Sequence, residues 1–251
     1  DPFRPGEMTV EVFEAHVRAL ARYFNVLPLS GALDLLDRGK LPKRSVCITF
    51  DDGYADNLTV ALPILEKYAL PTTLFVATRY LDGGMMWHDA VIEALRGATA
   101  GAAINLGQLR LDQAVVGAVE ERCAVAKSII EKIKYLPLER RQEFVDELVS
   151  QIGLQLPATL MLTSGQLLEL VERGVTIGAH THRHPILTSV SDEEAREEIV
   201  LGKKLLEQRT GRGIDLFAYP NGRPNRDYSQ KHVAMAAAAG FRAACSTTPG
   251  T

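Results

Sequence analysis

Short apolar runs rich in β-branched side chains recur along the chain, and stretches with helical periodicity separate them. Runs of this kind are typical of buried strands. They occupy residues Asn25–Leu29, Ser45–Phe50, Thr72–Ala77, Val175–Ala179, Asp215–Tyr219 and Phe241–Ser246. Because strands that alternate with helices usually form a parallel sheet covered by those helices, the pattern predicts an α/β fold.

Two of the intervening helices have clear sequence signals. Ser191 and Glu194 predict a capping box at the start of a helix whose apolar and small residues follow one stripe. That stripe consists of Ala195, Ile199, Gly202 and Leu206. Residues Leu62–Ala69, with Pro63 in the first turn, predict a second helix, which crosses over between two parallel strands.

The stretch from Leu81 to Val171 interrupts the alternation, because it contains helical segments and no recognisable strand. The segments cover Ala90–Arg96, Gln113–Lys134, Leu138–Ile152 and Ser164–Val171. Ordinary strand-to-helix connections are much shorter, so residues 81–171 are interpreted as a helical insertion between two strands, over the mouth of a barrel. Since the chain has no repeat and no low-complexity tract, residues 1–251 are predicted to form a single barrel domain.

Composition narrows the possible functions. The 251 residues are 46% hydrophobic and 24% charged, as in a folded globular protein, and the formal net charge is −3 with a pI near 6.1. This balance provides no overall positive field for a phosphate backbone, so no nucleic-acid partner is expected. No stretch approaches the roughly 20 apolar residues that cross a bilayer, so no membrane span is expected.

The cysteines and the chain ends are less informative. Three cysteines without C-x-x-C spacing argue against a disulfide framework. No charged and apolar leader follows Asp1, and no opening strand precedes the helix expected near Thr9, so both ends are expected to be trimmed. A cytoplasmic location is favoured over a periplasmic or secreted one, and the sequence does not indicate an oligomeric state.

Two adjacent carboxylates follow the second predicted strand, in Ile48–Tyr54, where Gly53 allows a sharp exit. Adjacent residues on a strand point in opposite directions, so Asp51 and Asp52 are expected to have different tasks. One would bind a metal while the other accepts a proton from water. The alternative is a solvated Asp-Asp-Gly turn with no chemical role.

Three of the six histidines fall within five residues after another predicted strand. His180 and His184 are four residues apart, so an extended strand end would direct both imidazoles to the same side, and His182 could share that face. A lone histidine is usually a surface or core residue. Two imidazoles combined with a carboxylate from another strand end, however, form the ligand set of a catalytic zinc or iron site.

These residues resemble the motifs of a known family. Thr49-Phe50-Asp51-Asp52-Gly53 and His180-Thr181-x-x-His184-Pro185 are similar to the two strongest motifs of the polysaccharide deacetylases of the NodB-homology class, carbohydrate esterase family 4. The resemblance implies a distorted (β/α)7 barrel that removes acetyl groups from N-acetylated sugars. It also implies that Asp52, His180 and His184 ligate a divalent metal, most simply Zn²⁺, and that Asp51 is the catalytic base.

The third motif of the family is present in altered form in Phe217–Arg223. Many members have an arginine that orients the catalytic aspartate, and Ala218 stands at that place. Arg223 or Arg183 would have to supply a guanidinium instead, and either is equally a surface charge. The backbone N–H of Asn221 matches the donor to the tetrahedral oxyanion, a role that tolerates side-chain change.

The family's last motif, a Leu-x-His segment that supplies the catalytic acid, has no match in this chain. His88 is the candidate substitute acid, and Trp87 and Asp89 are candidates for stacking on, and hydrogen bonding to, a sugar ring. Trp87 is equally a candidate core residue. The other candidates for substrate contact are Tyr54, Tyr219 and Arg223, whereas His16 and His232, in helical segments far from the motifs, have no predicted role.

The sequence therefore predicts a metal-dependent hydrolase that removes N-acetyl groups from an amino sugar in an oligosaccharide or polysaccharide. Its partner would be that glycan. Ala218 and the missing acid motivate one alternative, a noncatalytic carbohydrate-binding relative. A similar barrel that hydrolyses a small linear or cyclic amide is the other. Two further expectations are that Asp52, His180 and His184 converge, and that the insertion lies beside the site and determines substrate choice.

Overall fold

The structure is a computed structural model, and it describes residues 1–101, 103–105, 107, 114–115 and 117–249. The chain forms two compact units. The helical unit consists of Asp1–Glu7 and Met85–Ala158, and the sheet unit consists of Met8–Gly84 and Thr159–Thr251. Most of the helical unit falls within the insertion expected at residues 81–171, and the expectation of one domain stays a prediction.

The sheet unit contains two groups of parallel strands. In chain order its strands are β1 (Asn25–Val26), β2 (Ser45–Val46), β3 (Ile48–Phe50), β4 (Thr72–Val76), β7 (Thr176–Ala179), β8 (Leu216–Ala218) and β9 (Ala243–Cys245). The larger sheet has the order β3-β4-β7-β8-β9, and β1 pairs with β2. Every pairing in these two sheets is parallel, so the predicted α/β class is confirmed.

Six helices belong to the sheet unit in the described residues. They are α1 (Val10–Tyr23), α2 (Leu29–Asp37), α3 (Leu62–Lys67), α7 (Ser164–Glu172), α8 (Asp192–Thr210) and α9 (Gln230–Ala238). A π-helical turn at Asn57–Ala61 leads into α3, and 3₁₀ turns occupy Thr78–Tyr80 and Leu187–Ser189. Polar caps begin several of these helices: the Ser191 side chain, for example, accepts a hydrogen bond from the backbone N–H of Glu194.

The core of the sheet unit lies on both faces of β4, all five of whose residues are buried. The sequence of a strand buried on both faces is a continuous run of apolar or small residues, which is why Thr72–Val76 does not alternate between polar and apolar residues. The helices α7 and α8 cover the sheet with Leu167, Leu170, Ala195 and Ile199.

The helical unit packs α4 (Trp87–Gly97), α5 (Val119–Ile133) and α6 (Leu138–Ile152) around a core of its own. Its largest fully buried side chains include Leu95, Ile129, Ile133 and Leu148. A short antiparallel pair, β5 (Ala103–Ile104) and β6 (Ala114–Val115), lies between α4 and α5 in sequence. In the described part of the chain no helix is long and apolar enough to cross a membrane.

Several predicted boundaries are wrong. The strand expected at Ser45–Phe50 is divided at Cys47 into β2 and β3, which pair with different neighbours, and Leu29 begins α2 rather than ending a strand. The stretch from 81 to 171 was expected to lack strands and contains β5 and β6. The helix expected from Gln113 begins at Val119, because β-branched residues and Gly117 precede it, while Gln113 itself lies outside the described residues.

A candidate metal centre

The topology of the larger sheet brings both motifs to one edge. β3 and β7 lie on either side of β4, and all three strands run parallel. Asp51 and Asp52 follow the end of β3, and His180 follows the end of β7. Because parallel strands end at the same edge, the carboxylates and the imidazoles lie two strands apart, where ligands usually bind in such sheets.

Asp52 lies in a tight turn and not on the strand. Its φ is +73°, and that of Gly53 is +98°. The carbonyl of Asp52 accepts a hydrogen bond from the Ala77 N–H at 3.1 Å, and that of Gly53 accepts one from the Leu162 N–H at 2.9 Å. Strand alternation was expected to direct the side chains of Asp51 and Asp52 to opposite sides, and that explanation is wrong. The left-handed turn at Asp52 sets the direction of its side chain instead.

The histidine motif also forms a turn, where an extended strand end was expected. The His180 N–H donates to the carbonyl of Val76 at 3.1 Å, and then Thr181 and His184 take left-handed backbone conformations, with φ of +64° and +54°. The Thr181 hydroxyl accepts a hydrogen bond from the His184 N–H at 3.1 Å. This turn, rather than a strand period of two, brings both imidazoles to one side.

Asp52, His180 and His184 converge. The two Nε2 atoms are 3.1 Å apart, and Asp52 Oδ1 is 3.5 Å from His180 Nε2 and 3.3 Å from His184 Nε2. Each residue offers a ligand atom within 4.8 Å of the others, in the one such cluster found among the described residues. The structure thus brings together the three predicted ligands, and their binding of a metal stays a prediction.

The chemistry of the cluster fits a divalent cation. Asp52 Oδ1 is buried and has no hydrogen-bond partner within the described part of the chain. An unpartnered buried carboxylate oxygen is costly, and a cation at the cluster would remove that cost. Two imidazole nitrogens with one carboxylate oxygen are ligands that divalent transition metals accept.

A backbone contact fixes the tautomer of His180, whose side chain is buried. Its Nδ1 lies 2.8 Å from the carbonyl oxygen of Ala218, which only accepts hydrogen bonds. Nδ1 therefore donates a proton to this bond, and Nε2 is the ring nitrogen that faces Asp52 and His184. A contact of this kind orients the histidine ligands of metal sites. Ala218 consequently contributes its carbonyl, although it lacks the side chain of the arginine expected at its place.

Asp51 lies beside the cluster with a perturbed carboxyl group. Its side chain is exposed to solvent, yet the protein atoms crowded around it raise its pKa by desolvation. The negative charge of Asp52 acts in the same direction, and His180 opposes both. A carboxyl group with a raised pKa is a better proton acceptor than an ordinary one, which is consistent with the predicted role of a base.

The segment after β8 holds Asn221 in a defined conformation. Asn221 has a φ of +60°, and its carbonyl accepts a hydrogen bond from the Thr247 hydroxyl at 2.9 Å. Arg223 donates to the buried Asp227 carboxylate from its backbone N–H at 3.0 Å and lies 3.3 Å from it through Nε. The oxyanion role of Asn221 and the substrate role of Arg223 stay predictions.

The two tyrosines proposed to contact substrate have partners within the sheet unit. The buried Tyr219 ring stacks on Tyr228 with centroids 3.8 Å apart, and burial raises the pKa of Tyr219 to about 12. Tyr54 pairs with Met161 in an isolated antiparallel bridge. Their contact with substrate stays a prediction.

Trp87, His88 and Asp89 belong to the helical unit. Trp87 is buried with the Arg141 guanidinium 4.7 Å above its ring, and Asp89 is fully buried and accepts a hydrogen bond from Arg4. His88 Nε2 is 3.7 Å from the Asp89 carboxylate. Their contacts inside the unit therefore account for the burial of Trp87 and Asp89, and the substrate and acid roles stay predictions.

One residue near the site was not predicted from the sequence. Glu198 of α8 is buried, and its carboxylate accepts hydrogen bonds from the loop between the two histidines. The available signal was its position, since a glutamate four residues after Glu194 and beside Ile199 falls on the stripe that covers the sheet. Arg183, proposed as a substitute for the missing arginine, is directed at Glu198 and Glu194.

Comparison with known proteins identifies the family. The model of the family described as polysaccharide deacetylase matches residues 38–105 and 142–244. The chain belongs to the polysaccharide deacetylase family. The resemblance inferred from the two motifs is thus confirmed, and the internal gap between the two matched segments, residues 106–141, falls within the helical unit.

Individual family members are distant. YxkH of Bacillus subtilis (strain 168), whose name places it among polysaccharide deacetylases, is 23% identical over 240 residues, 95% of this chain and 58% of that protein. A poly-beta-1,6-N-acetyl-D-glucosamine N-deacetylase of Staphylococcus epidermidis is 34% identical over 83 residues, 33% of this chain and 28% of that enzyme. The chain therefore spans little more than half the length of one relative and under a third of the other.

Solved structures of polysaccharide deacetylases and related deacetylases share the fold. The Streptococcus pyogenes deacetylase PplD in complex with acetate superposes with a TM-score of 0.63 at 18% identity, over 100% of this chain and 79% of PplD. The BpsB deacetylase domain of Bordetella bronchiseptica gives 0.59 at 19% identity, over 100% of this chain and 81% of that domain. At this identity the likeness confirms the NodB-type α/β fold with its curled parallel sheet.

Proposed function

We propose that this member of the family is a metal-dependent hydrolase that removes N-acetyl groups from an amino sugar within an oligosaccharide or polysaccharide. The observation that carries the proposal is the convergence of Asp52, His180 and His184 around a buried carboxylate oxygen that has no hydrogen-bond partner among the described residues. The products are a free amine and acetate.

The three side chains would hold the cation, and we infer that it is Zn²⁺. Two imidazoles and a carboxylate suit a borderline-soft ion, and hydrolysis requires no redox change. A bound Zn²⁺ supplies Lewis acidity and lowers the pKa of water towards ~7. The orientation of His180 supports this assignment, because its Nδ1 is bound to the Ala218 carbonyl and its Nε2 is the nitrogen left to face the cation.

The protein's own groups carry the remaining steps. Asp51 accepts the proton of the attacking water, as its raised pKa favours. The backbone N–H of Asn221 donates to the oxyanion of the tetrahedral intermediate, in a turn held by Thr247. The leaving nitrogen takes a proton from a general acid.

The names of the relatives guide the choice of substrate. One curated relative is a poly-beta-1,6-N-acetyl-D-glucosamine N-deacetylase, so β-1,6-linked N-acetylglucosamine oligomers are the first substrate to test. Chito-oligosaccharides and peptidoglycan fragments test other linkages of the same acetylated sugar.

The decisive measurement is acetate release by Zn²⁺-loaded protein from these oligosaccharides, with Asp51→Asn protein as the matched control. Release by the wild type with little release by the variant supports the proposal. Binding of the glycan with no acetate released by the wild type would favour the noncatalytic relative. Release from a small amide but from none of the glycans would favour the other alternative.

A further inference from the structure

The turn that separates the two predicted histidine ligands is bound to helix α8 through one buried carboxylate. Glu198 Oε2 accepts hydrogen bonds from the backbone N–H groups of His182 at 3.0 Å and Arg183 at 2.6 Å. Glu198 Oε1 accepts a third, from Arg183 Nε at 2.6 Å. The glutamate is only 3% exposed, so its charge is held where water does not compete for these donors.

Arg183 balances that charge from the same turn. Its Nη2 donates to Glu194 at 2.6 Å while Nε is bound to Glu198. Glu194 and Glu198 are four residues apart, so they lie on the same face of α8. A buried glutamate with a guanidinium and two backbone donors is satisfied, whereas removal of one partner would leave an uncompensated group.

A third residue on the same face of α8 brings the helix close to the turn. Gly202 lies one further turn along, and a Cβ added there would be 2.7 Å from the carbonyl carbon and oxygen of Thr181. Even alanine would therefore force the helix and the turn apart. The missing side chain of Gly202 allows the short distance over which Glu198 reaches the backbone of the turn.

The 3₁₀ segment after β4 also holds the turn. Arg79 N–H donates to the His182 carbonyl at 2.9 Å, and the Thr78 hydroxyl lies 2.8 Å from His182 Nδ1. Thr181 and His184 have left-handed backbone conformations, which cost energy in residues other than glycine. Contacts from two different elements, α8 and the 3₁₀ segment, maintain such a conformation.

We propose that Glu198, with Gly202, is a positioning residue for the metal centre: this face of α8 is a template that holds the turn 181–184 so that His180 and His184 reach the same cation. The inference rests on the proposed function, because it takes the cluster of Asp52, His180 and His184 to bind metal. Glu198 does not touch the cation or the substrate; it acts through the backbone of His182 and Arg183.

Three variants separate geometry from charge. Glu198→Ala removes every acceptor, and Glu198→Gln keeps an oxygen for the two backbone donors but presents an amide N–H₂ to Arg183. Gly202→Ala moves the turn with no change of charge. The matched controls are Glu197→Ala, at an exposed position on the same helix, and Gly31→Ala in α2, where an added Cβ meets no atom within 4 Å.

The measured quantity is the affinity of the full chain for Zn²⁺ and Co²⁺, obtained by competition with a chromophoric chelator, together with the visible absorption of the Co²⁺-loaded protein. Loss of an outer contact to a metal ligand typically weakens affinity about 10- to 100-fold. We expect that loss for Glu198→Ala and Gly202→Ala, a smaller loss for Glu198→Gln, an altered Co²⁺ spectrum in all three, and no change in either control.

Thermal unfolding of the metal-free proteins separates positioning from a general loss of fold. If Glu198→Ala does not fold, the milder Glu198→Gln and the uncharged Gly202→Ala decide the question by the same readouts. Wild-type affinity and an unchanged Co²⁺ spectrum in folded variants would overturn the inference, even with a lowered melting temperature. Failure of the wild type to bind either metal would overturn the metal centre itself, and the inference with it.

Discussion

At the scale of single residues, the adjacent aspartates Asp51 and Asp52 lie in different local environments. Asp52 turns into the cluster because its backbone is left-handed, and Asp51 remains beside it with a raised pKa. The residue types and their order in the chain were enough to select both as candidates. The turn that separates them was not predictable, because aspartate adopts a positive φ more often than most residues but still only in a minority of cases.

Proteins in which Asp51 or Asp52 is replaced are expected to differ in metal content. Asp52→Ala removes a ligand and should lose both the metal and the activity. Asp51→Asn keeps the shape but cannot accept a proton, so turnover should fall by roughly 10²- to 10⁴-fold with metal content unchanged. Elemental analysis beside acetate release tests this. Equal metal loss in both variants would mean that both carboxylates ligate.

His232 was assigned no role from the sequence, and the structure gives it one at the start of α9. Its Nδ1 accepts a hydrogen bond from the Ser229 N–H at 3.0 Å, which only an unprotonated nitrogen can do. The imidazole is fully buried, and burial lowers its pKa, with the nearby Lys231 charge acting in the same direction. The folded state therefore resists protonation of this histidine.

This arrangement predicts a pH dependence of stability. A histidine in the unfolded chain titrates near pH ~6.5, so below that pH the unfolded state binds more protons than the folded state. The contribution of His232 to the free energy of unfolding is therefore lost as the pH falls from about 6.5 through the lowered pKa of the folded state. His232→Gln retains an acceptor for Ser229, as Gln166 does for Thr163 in α7. Urea unfolding across pH 5–8 should show a weaker acid dependence in this variant than in the wild type, and an equal dependence in both would contradict the prediction.

At the scale of elements, helices with local signals at both ends were predicted well and the ends of short strands poorly. Leu138–Ile152 was predicted with its observed ends, because its apolar stripe and flanking proline and glycine are all local signals. The strands contain only two to five residues, and pairing with neighbours determines where they end. That information is tertiary, which is why Ser45–Phe50 was predicted as one strand and forms two.

The turn after β3 provides a test of backbone requirements. Gly53 has a φ of +98°, and an added Cβ would lie 3.2 Å from Val76 Cγ1, whereas Gly174, with a φ of +87°, has no atom within 4 Å of that position. Gly174→Ala should lower the free energy of unfolding only by the cost of a left-handed backbone at alanine, about 1–2 kcal/mol. Gly53→Ala should cost at least ~1 kcal/mol more and should also weaken metal binding, because Asp52 is its neighbour.

Urea unfolding monitored by circular dichroism gives both free energies, and chelator competition gives the affinities. Equal destabilisation by the two substitutions, with metal affinity intact in each, would show that the turn accommodates a side chain against Val76.

At the scale of the whole molecule, the division into two units was only partly visible in the sequence. The length of the stretch between 81 and 171 predicted an insertion, and its helices do form a core of their own. The participation of Asp1–Glu7 in that unit was not predictable, because it depends on ion pairs between residues far apart in sequence. Arg4 binds Asp89 and Arg96 binds Asp1.

The ion pair of Arg4 with Asp89 predicts a strong effect on the helical unit. Asp89 is fully buried, so Arg4→Ala would leave a carboxylate without its guanidinium and should destabilise the unit by about 3 kcal/mol. The double variant Arg4→Ala, Asp89→Ala should recover part of that loss, since no buried charge remains. Hydrogen exchange in α4–α6 measures both, and a double variant no more stable than Arg4→Ala would contradict the prediction.

The position of β4 between the two strands that lead to the metal cluster has a consequence for folding. Asp52 and His180 are about 130 residues apart, and their strands meet only through β4, so no local segment of a nascent or unfolded chain holds the full ligand set. Contacts between residues so far apart in sequence form late, because the long loop between them must close first. A cation that binds only the assembled edge then stabilises the native state by mass action, by about 2.7 kcal/mol at a hundredfold excess over its Kd. The rate at which refolding protein takes up Co²⁺ would accordingly report the rate at which β3, β4 and β7 pair. Metal uptake would thus mark the completion of the fold.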